Sequence, residues 1–138
     1  MVDPERVSDR LARLEHLLRV LEAVRQDGEE RYLADEHLRL RAERALQLAL
    51  QICLDVATHL GTEMGLAAPR TYREVFAGLA QAGILDQALA GRLQEAAGLR
   101  NLLVHGYAEL DDRRVFAALG RLDDLRAFAA AAVRAANA

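Results

Sequence analysis

Lysine and tryptophan are absent from this 138-residue chain, and cysteine occurs only once. A single cysteine, Cys53, excludes an intramolecular disulfide. It lies in an apolar helical run, so it reads as core filler in a reduced compartment. Two prolines and 4% aromatics argue against a sandwich or barrel, while 52% hydrophobic residues, mostly Leu and Ala, fit a helical bundle. No apolar run approaches the ~20 residues that a membrane span needs. The charged, amphipathic start "MVDPERVSDRLARLEHLL" has no apolar signal-peptide core, and the expectation is a cytoplasmic protein away from membranes. All 18 basic residues are arginine, a side chain suited to carboxylates and phosphates, but 21 acidic residues leave a net charge of −3. That balance excludes a generic polyanion binder. Any nucleic-acid role must rest on a local basic site or on a groove between subunits.

What is present is helical periodicity in one domain, residues 1–138, long enough for a real core. Val7, Leu11, Leu14, Leu18 and Leu21 alternate spacings of four and three, predicting a first helix from about residue 8, or slightly earlier, to 26. After "QDG" a second helix is expected over about 29–60, with Leu46, Ala49, Cys53, Val56 and Leu60 on one face. Leu48 and Ile52 lie on its other side with Asp55, so this helix packs centrally or forms a subunit interface. "GTEMGLAAPR" is a linker. Thr71 and Glu74 form a capping-box signature for a short third helix ending near Gly83. A fourth starts at about Asp86, "AELDD" is a turn, and a fifth spans about 112–136 with Val115, Leu119, Leu122, Ala129 and Val133 on one face. The fold class is therefore all-α, a bundle of about five helices.

Chemistry concentrates in "AAGLRNLLVHGYAEL", residues 96–110. On a helical wheel, Arg100 falls near the centre of a stripe formed by Leu85, Leu89, Leu93, Ala96, Leu103 and Val104. An arginine there pairs internally, with Asp55 a candidate, or snorkels, or opens on a cleft. His105 would diverge from Arg100 in an unbroken helix. Gly106 follows it, and a glycine commonly ends a helix in a left-handed turn, which allows His105 to swing back. A histidine stabilising the helix C-terminus is the plainer alternative. Arginine followed closely by histidine also occurs at Arg10 and His16 and at Arg31 and His37, but only His105 has a tyrosine, Tyr107, two residues on.

"RNLLVHGY" resembles the R-x4-H-x-Y signature of the HepT-like toxins, a branch of the HEPN superfamily of helical ribonucleases. "RAERALQLALQICLDVATHL" and "YREVFAGLAQAGILDQALAGRLQEAAGLRN" also look like that family, so the likeness covers roughly residues 8–130. The resemblance implies a HEPN-type bundle acting as a homodimer: a metal-independent endoribonuclease with no cofactor, whose substrate is RNA. Arg100 and His105 are then catalytic, His105 taking the proton of a ribose 2′-hydroxyl and Arg100 stabilising phosphoryl charge. Asn101 positions the phosphate or the loop, with Asp55 or His59 beside Arg100 on the wall. The implied partner is an MNT-type nucleotidyltransferase antitoxin that adds AMP to Tyr107, blocking RNA and neutralising the arginine. The alternative is a non-catalytic HEPN scaffold or nucleotide-binding partner of a transferase. The i, i+4 pair of Asp55 and His59 lacks further ligands for a metal, and Arg113 and Arg114 in "DDRRV" are solvated or touch phosphate.

Overall fold

Helix starts are written into this chain as Asp or Thr side chains that can satisfy the free N–H groups of a first turn. In the computed structural model, which describes residues 2–106, 108 and 110–138, Asp3, Asp35, Thr71, Asp86 and Asp111 each accept such hydrogen bonds. Among the described residues there are seven helices: α1 (Pro4–Gln26), α2 (Glu29–Ala34), α3 (Glu36–Glu63), α4 (Tyr72–Gln81), α5 (Gln87–His105), α6 (Asp112–Leu119) and α7 (Leu122–Ala136). None is long and apolar enough to cross a membrane.

The all-α bundle of about five helices expected from sequence is present, with two further breaks. The predicted second helix divides at Asp35, whose backbone is extended and whose carboxylate caps α3 through His37 and Leu38 N–H. The predicted fifth divides at Gly120 and Arg121. The single apolar face expected across it is therefore two: Val115 and Leu119 on α6, then Leu122, Leu125, Phe128 and Ala132 on α7. Val133, placed on the core face by a continuous wheel, is 46% exposed because the break resets the register.

α3 is the central strut, packing against α1, α2, α4, α5 and α7. Leu46, Ala49, Cys53, Val56 and Leu60 are buried, and so are Ile52 and Leu54 on its other side. Its two apolar faces are satisfied within one chain, so they do not by themselves call for a second subunit. Aromatic pairs tie the periphery: Phe76 of α4 meets Phe128 of α7 edge-on at 5.8 Å, and Tyr32 of α2 meets Phe116 of α6 at 5.2 Å. At about 2 kcal/mol per buried aliphatic side chain against about 1 per cap, packing holds the bundle and capping decides where its helices begin. For the site, the consequence is that α5 runs between α3 and α4 and carries the motif at its C-terminal end.

Cys53 is fully enclosed, and burial pushes its thiol up to about 12. The thiolate is the reactive species, so the native protein should resist a thiol-specific disulfide reagent at about pH 8, whereas denatured protein should react at once. Rapid stoichiometric labelling of native protein would contradict this burial.

Candidate active site

The last turns of α5 set Arg100, Asn101 and His105 along one open cleft, whose wall also includes Thr71, Tyr72, Gly98, Leu102, Gly106 and Ala108. α5 closes at Gly106, whose N–H donates to the Leu102 carbonyl at 2.8 Å. The expected left-handed turn is not what ends it, because Gly106 has φ −109°. A side chain at this position would be crowded. A Cβ would lie 3.0 Å from Leu102 Cδ2 and 3.3 Å from both its Cα and its carbonyl oxygen. This tight turn leaves His105 exposed at the mouth of the cleft.

Arg100 is half-buried and held from three sides. Its Nε donates to Gln51 Oε1 at 2.9 Å, its Nη1 donates to Asn101 Oδ1 at 3.3 Å, and its guanidinium lies over the Tyr72 ring at 5.0 Å. A guanidinium has five N–H groups. Gln51 and Asn101 each take one of these, and among the described residues no other acceptor takes the remaining three. No carboxylate occurs among the described residues that line the cleft.

Asp55 does not reach Arg100. Its Oδ1 accepts from Gln51 Nε2 at 2.9 Å and its Oδ2 pairs with Arg10 at 3.3 Å. The order is thus Arg10, Asp55, Gln51, Arg100, and the internal salt bridge considered from sequence is made by Arg10. His59, one turn further along α3, is half-buried with Nε2 enclosed and without a partner, and it does not line the cleft. Among the described residues no three His, Cys, Asp or Glu side chains gather to hold a metal. Arg113 pairs with Glu29 at 3.3 Å, and Arg114 lies in a separate depression with Arg92 and Arg121. Tyr107 lies outside the described residues.

Gln51 and Tyr72 are the site residues that sequence reasoning missed. The i, i+4 spacing of Gln51 and Asp55 on one helix was a usable local signal. Nothing local tied either residue to Arg100, because both contacts are made across helices.

The sequence matches the family "Ribonuclease HepT-like" over residues 13–132. It is similar to an mRNA nuclease HepT of Shewanella oneidensis, 29% identical over 88% of this chain and 92% of that one. It is also similar to a tRNA nuclease HepT of Aphanizomenon flos-aquae, 30% identical over 86% of this chain and 80% of that one. The tri-AMPylated Shewanella oneidensis HEPN toxin, solved in complex with MNT antitoxin, superposes with a TM-score of 0.84 at 28% identity, covering 95% of this chain and 97% of that one.

The crowding at Gly106 has a measurable consequence. Gly106→Ala forces Leu102 or the turn to shift, which should lower stability by about 1–3 kcal/mol in urea unfolding. A wild-type unfolding midpoint would show that the turn has room for a side chain.

Proposed function

Because the chain belongs to the HepT-like ribonuclease family, we propose that it is the toxin of a toxin–antitoxin pair: an endoribonuclease that cuts RNA through a ribose 2′-hydroxyl and is silenced by an MNT-type nucleotidyltransferase adding AMP to Tyr107. The observation that carries this reading is the placement of Arg100, Asn101 and His105 on one cleft without a described carboxylate in its lining. The solved Shewanella oneidensis toxin, AMPylated and bound to its MNT antitoxin, supports the partner and the modification.

The chemistry follows from the donors. A substrate phosphate bridges the three free N–H groups of Arg100, and His105 at the mouth takes the 2′-hydroxyl proton. The 2′-oxygen bonds to phosphorus as the P–O5′ bond breaks, and the departing 5′-oxygen takes up a proton. The products are a 2′,3′-cyclic phosphate and a 5′-hydroxyl. Arg100 stabilises the charge that grows on the non-bridging oxygens, and no step calls for a metal. Asn101 holds Nη1 of Arg100, and Gln51 holds its Nε, so both are positioning residues. Asp55 acts one contact further out, orienting the Gln51 amide. The openness of the cleft on a single chain is consistent with a homodimer in which a second copy completes the wall. AMP on Tyr107, two residues past His105 in the sequence, adds bulk and a negative phosphate that oppose RNA binding. The scaffold alternative lacks a comparable observation: it gives Arg100 and His105 no chemical task.

The wild-type chain should cleave single-stranded RNA in EDTA and leave 2′,3′-cyclic phosphate ends. His105→Ala and Arg100→Ala should each lose about 100-fold or more. Gln51→Ala should lose less, on the order of 10-fold, chiefly in kcat because the guanidinium remains but is no longer aimed. Cleavage abolished by EDTA, or retained in both Arg100→Ala and His105→Ala, would refute the mechanism.

With a transferase partner and ATP, intact mass should rise by whole AMP units that peptide mapping assigns to Tyr107, and cleavage should fall in proportion. Tyr107→Phe should stay unmodified and active under the same conditions. AMP on another residue of Tyr107→Phe, or full activity of the modified wild type, would remove Tyr107 from the scheme while leaving the nuclease reading intact.

A further inference from the structure

We propose that Tyr72 and Arg73, consecutive residues in the first turn of α4, form a nucleotide-binding subsite beside the reacting phosphate. The Tyr72 ring stacks a base of single-stranded RNA, and Arg73 binds the adjoining phosphate. The proposal deepens the ribonuclease reading and rests on it for the identity of the ligand.

Tyr72 is the first observation. Tyr32, Phe76 and Phe128 are fully buried and Phe116 is partly so, whereas Tyr72 is 38% exposed, the one exposed ring among the described aromatic residues. More than a third of its surface stays open to solvent. The ring lies on the cleft wall with the Arg100 guanidinium over it at 5.0 Å. A phosphate on the free edge of Arg100 therefore sets the neighbouring nucleoside beside Tyr72. Aromatic side chains capture unpaired bases by stacking, and they do so largely irrespective of sequence.

Gly98 is the second and independent observation. A glycine inside a helix is destabilising by roughly 0.5–1 kcal/mol relative to alanine, so one that persists needs a reason. Gly91, on the same helix, has nothing within 4 Å of where a Cβ would stand. At Gly98 a Cβ would stand 2.7 Å from Arg73 Nη2. Gly98 lines the cleft, so the tip of Arg73, which reaches into the space a side chain at Gly98 would fill, comes up against the cleft wall. No carboxylate among the described residues pairs with Arg73, in contrast to Arg92, Arg113, Arg121 and Arg126. An aromatic face and an uncompensated guanidinium, side by side and one contact from Arg100, suit a nucleotide.

The test uses binding, so that it is separate from cleavage. Two probes carry equal charge and resist cleavage: a 2′-O-methyl-uridine decamer and the same ribose–phosphate chain without bases. Fluorescence anisotropy should show wild-type protein favouring the decamer with bases. Tyr72→Leu should weaken binding to that decamer by roughly 5- to 100-fold and binding to the abasic chain far less, while Tyr72→Phe retains the preference. Arg73→Gln should weaken both probes alike and reduce the slope of log affinity against log salt by about one unit. Circular dichroism melts establish that each variant is folded, as expected for exposed positions. The subsite is overturned if Tyr72→Leu binds the decamer like wild type or weakens both probes equally. It is equally overturned if Arg73→Gln changes neither affinity nor salt slope, or if wild type binds neither probe. Failure of the nuclease reading registers differently, as absent cleavage of ordinary RNA by wild-type protein whose binding follows the pattern above.

Discussion

Arg100 keeps its charge available because the atom that fixes its Nε is an amide oxygen. A carboxylate in the position of Gln51 would hold the guanidinium as firmly, but it would also neutralise much of the field that a phosphate must meet. The carboxylate is present one contact away. Asp55 accepts from the Gln51 amide at 2.9 Å and is itself countered by Arg10 at 3.3 Å. Its charge is thus spent on orienting an amide, whose nitrogen faces Asp55 and whose oxygen faces Arg100. A ligand oriented by an outer partner is familiar at metal centres, and here the oriented group is a guanidinium.

That arrangement depends on α3 being both the core of the bundle and the anchor of Arg100. Buried residues run along nearly the whole helix, from Leu38 to Leu60, leaving only a narrow polar strip. Gln51 and Asp55 occupy it, one turn apart, where α3 meets α5. Because Leu50, Ile52, Cys53 and Leu54 around them are packed, the strip cannot drift, and the position of Arg100 inherits the rigidity of the core. His105, by contrast, is the last residue of α5 and is exposed.

Much of this was legible in the sequence, and the misses have one cause. The first helix, the central helix and the end of α5 at Gly106 follow from apolar spacing, capping residues and glycine placement, all of which are local signals. Asp35 and Gly120 broke predicted helices because the apolar pattern passes through both positions without losing phase for several residues. Only an exposed Val133 betrays the second break. Gly106 was correctly read as a terminator for the wrong reason: crowding by Leu102, invisible in one dimension, replaces the left-handed turn. Arg100 stood out as a charge on an apolar stripe. Its partners Gln51 and Tyr72 did not, because each belongs to another helix and is unremarkable within it.

In a chain with net charge −3, many of the arginines are matched by acids on neighbouring helices. Asp and Glu are set opposite arginines between helices: Asp55 with Arg10, Asp112 with Arg39, Asp124 with Arg92, Glu29 with Arg113. Exposed pairs of this kind add about 1 kcal/mol or less each, so their contribution to stability is minor. Their electrostatic effect is larger. Each cancels a positive charge that would otherwise attract polyanions elsewhere on the surface. Among the described residues Arg73 and Arg100 have no carboxylate partner, and Thr71, Tyr72, Gly98 and Asn101 on the cleft wall are uncharged. Within a screening length of about 8 Å, an approaching strand feels the local pair of guanidiniums more than the distant negative total. The negative total therefore does not by itself oppose the RNA binding proposed for this cleft.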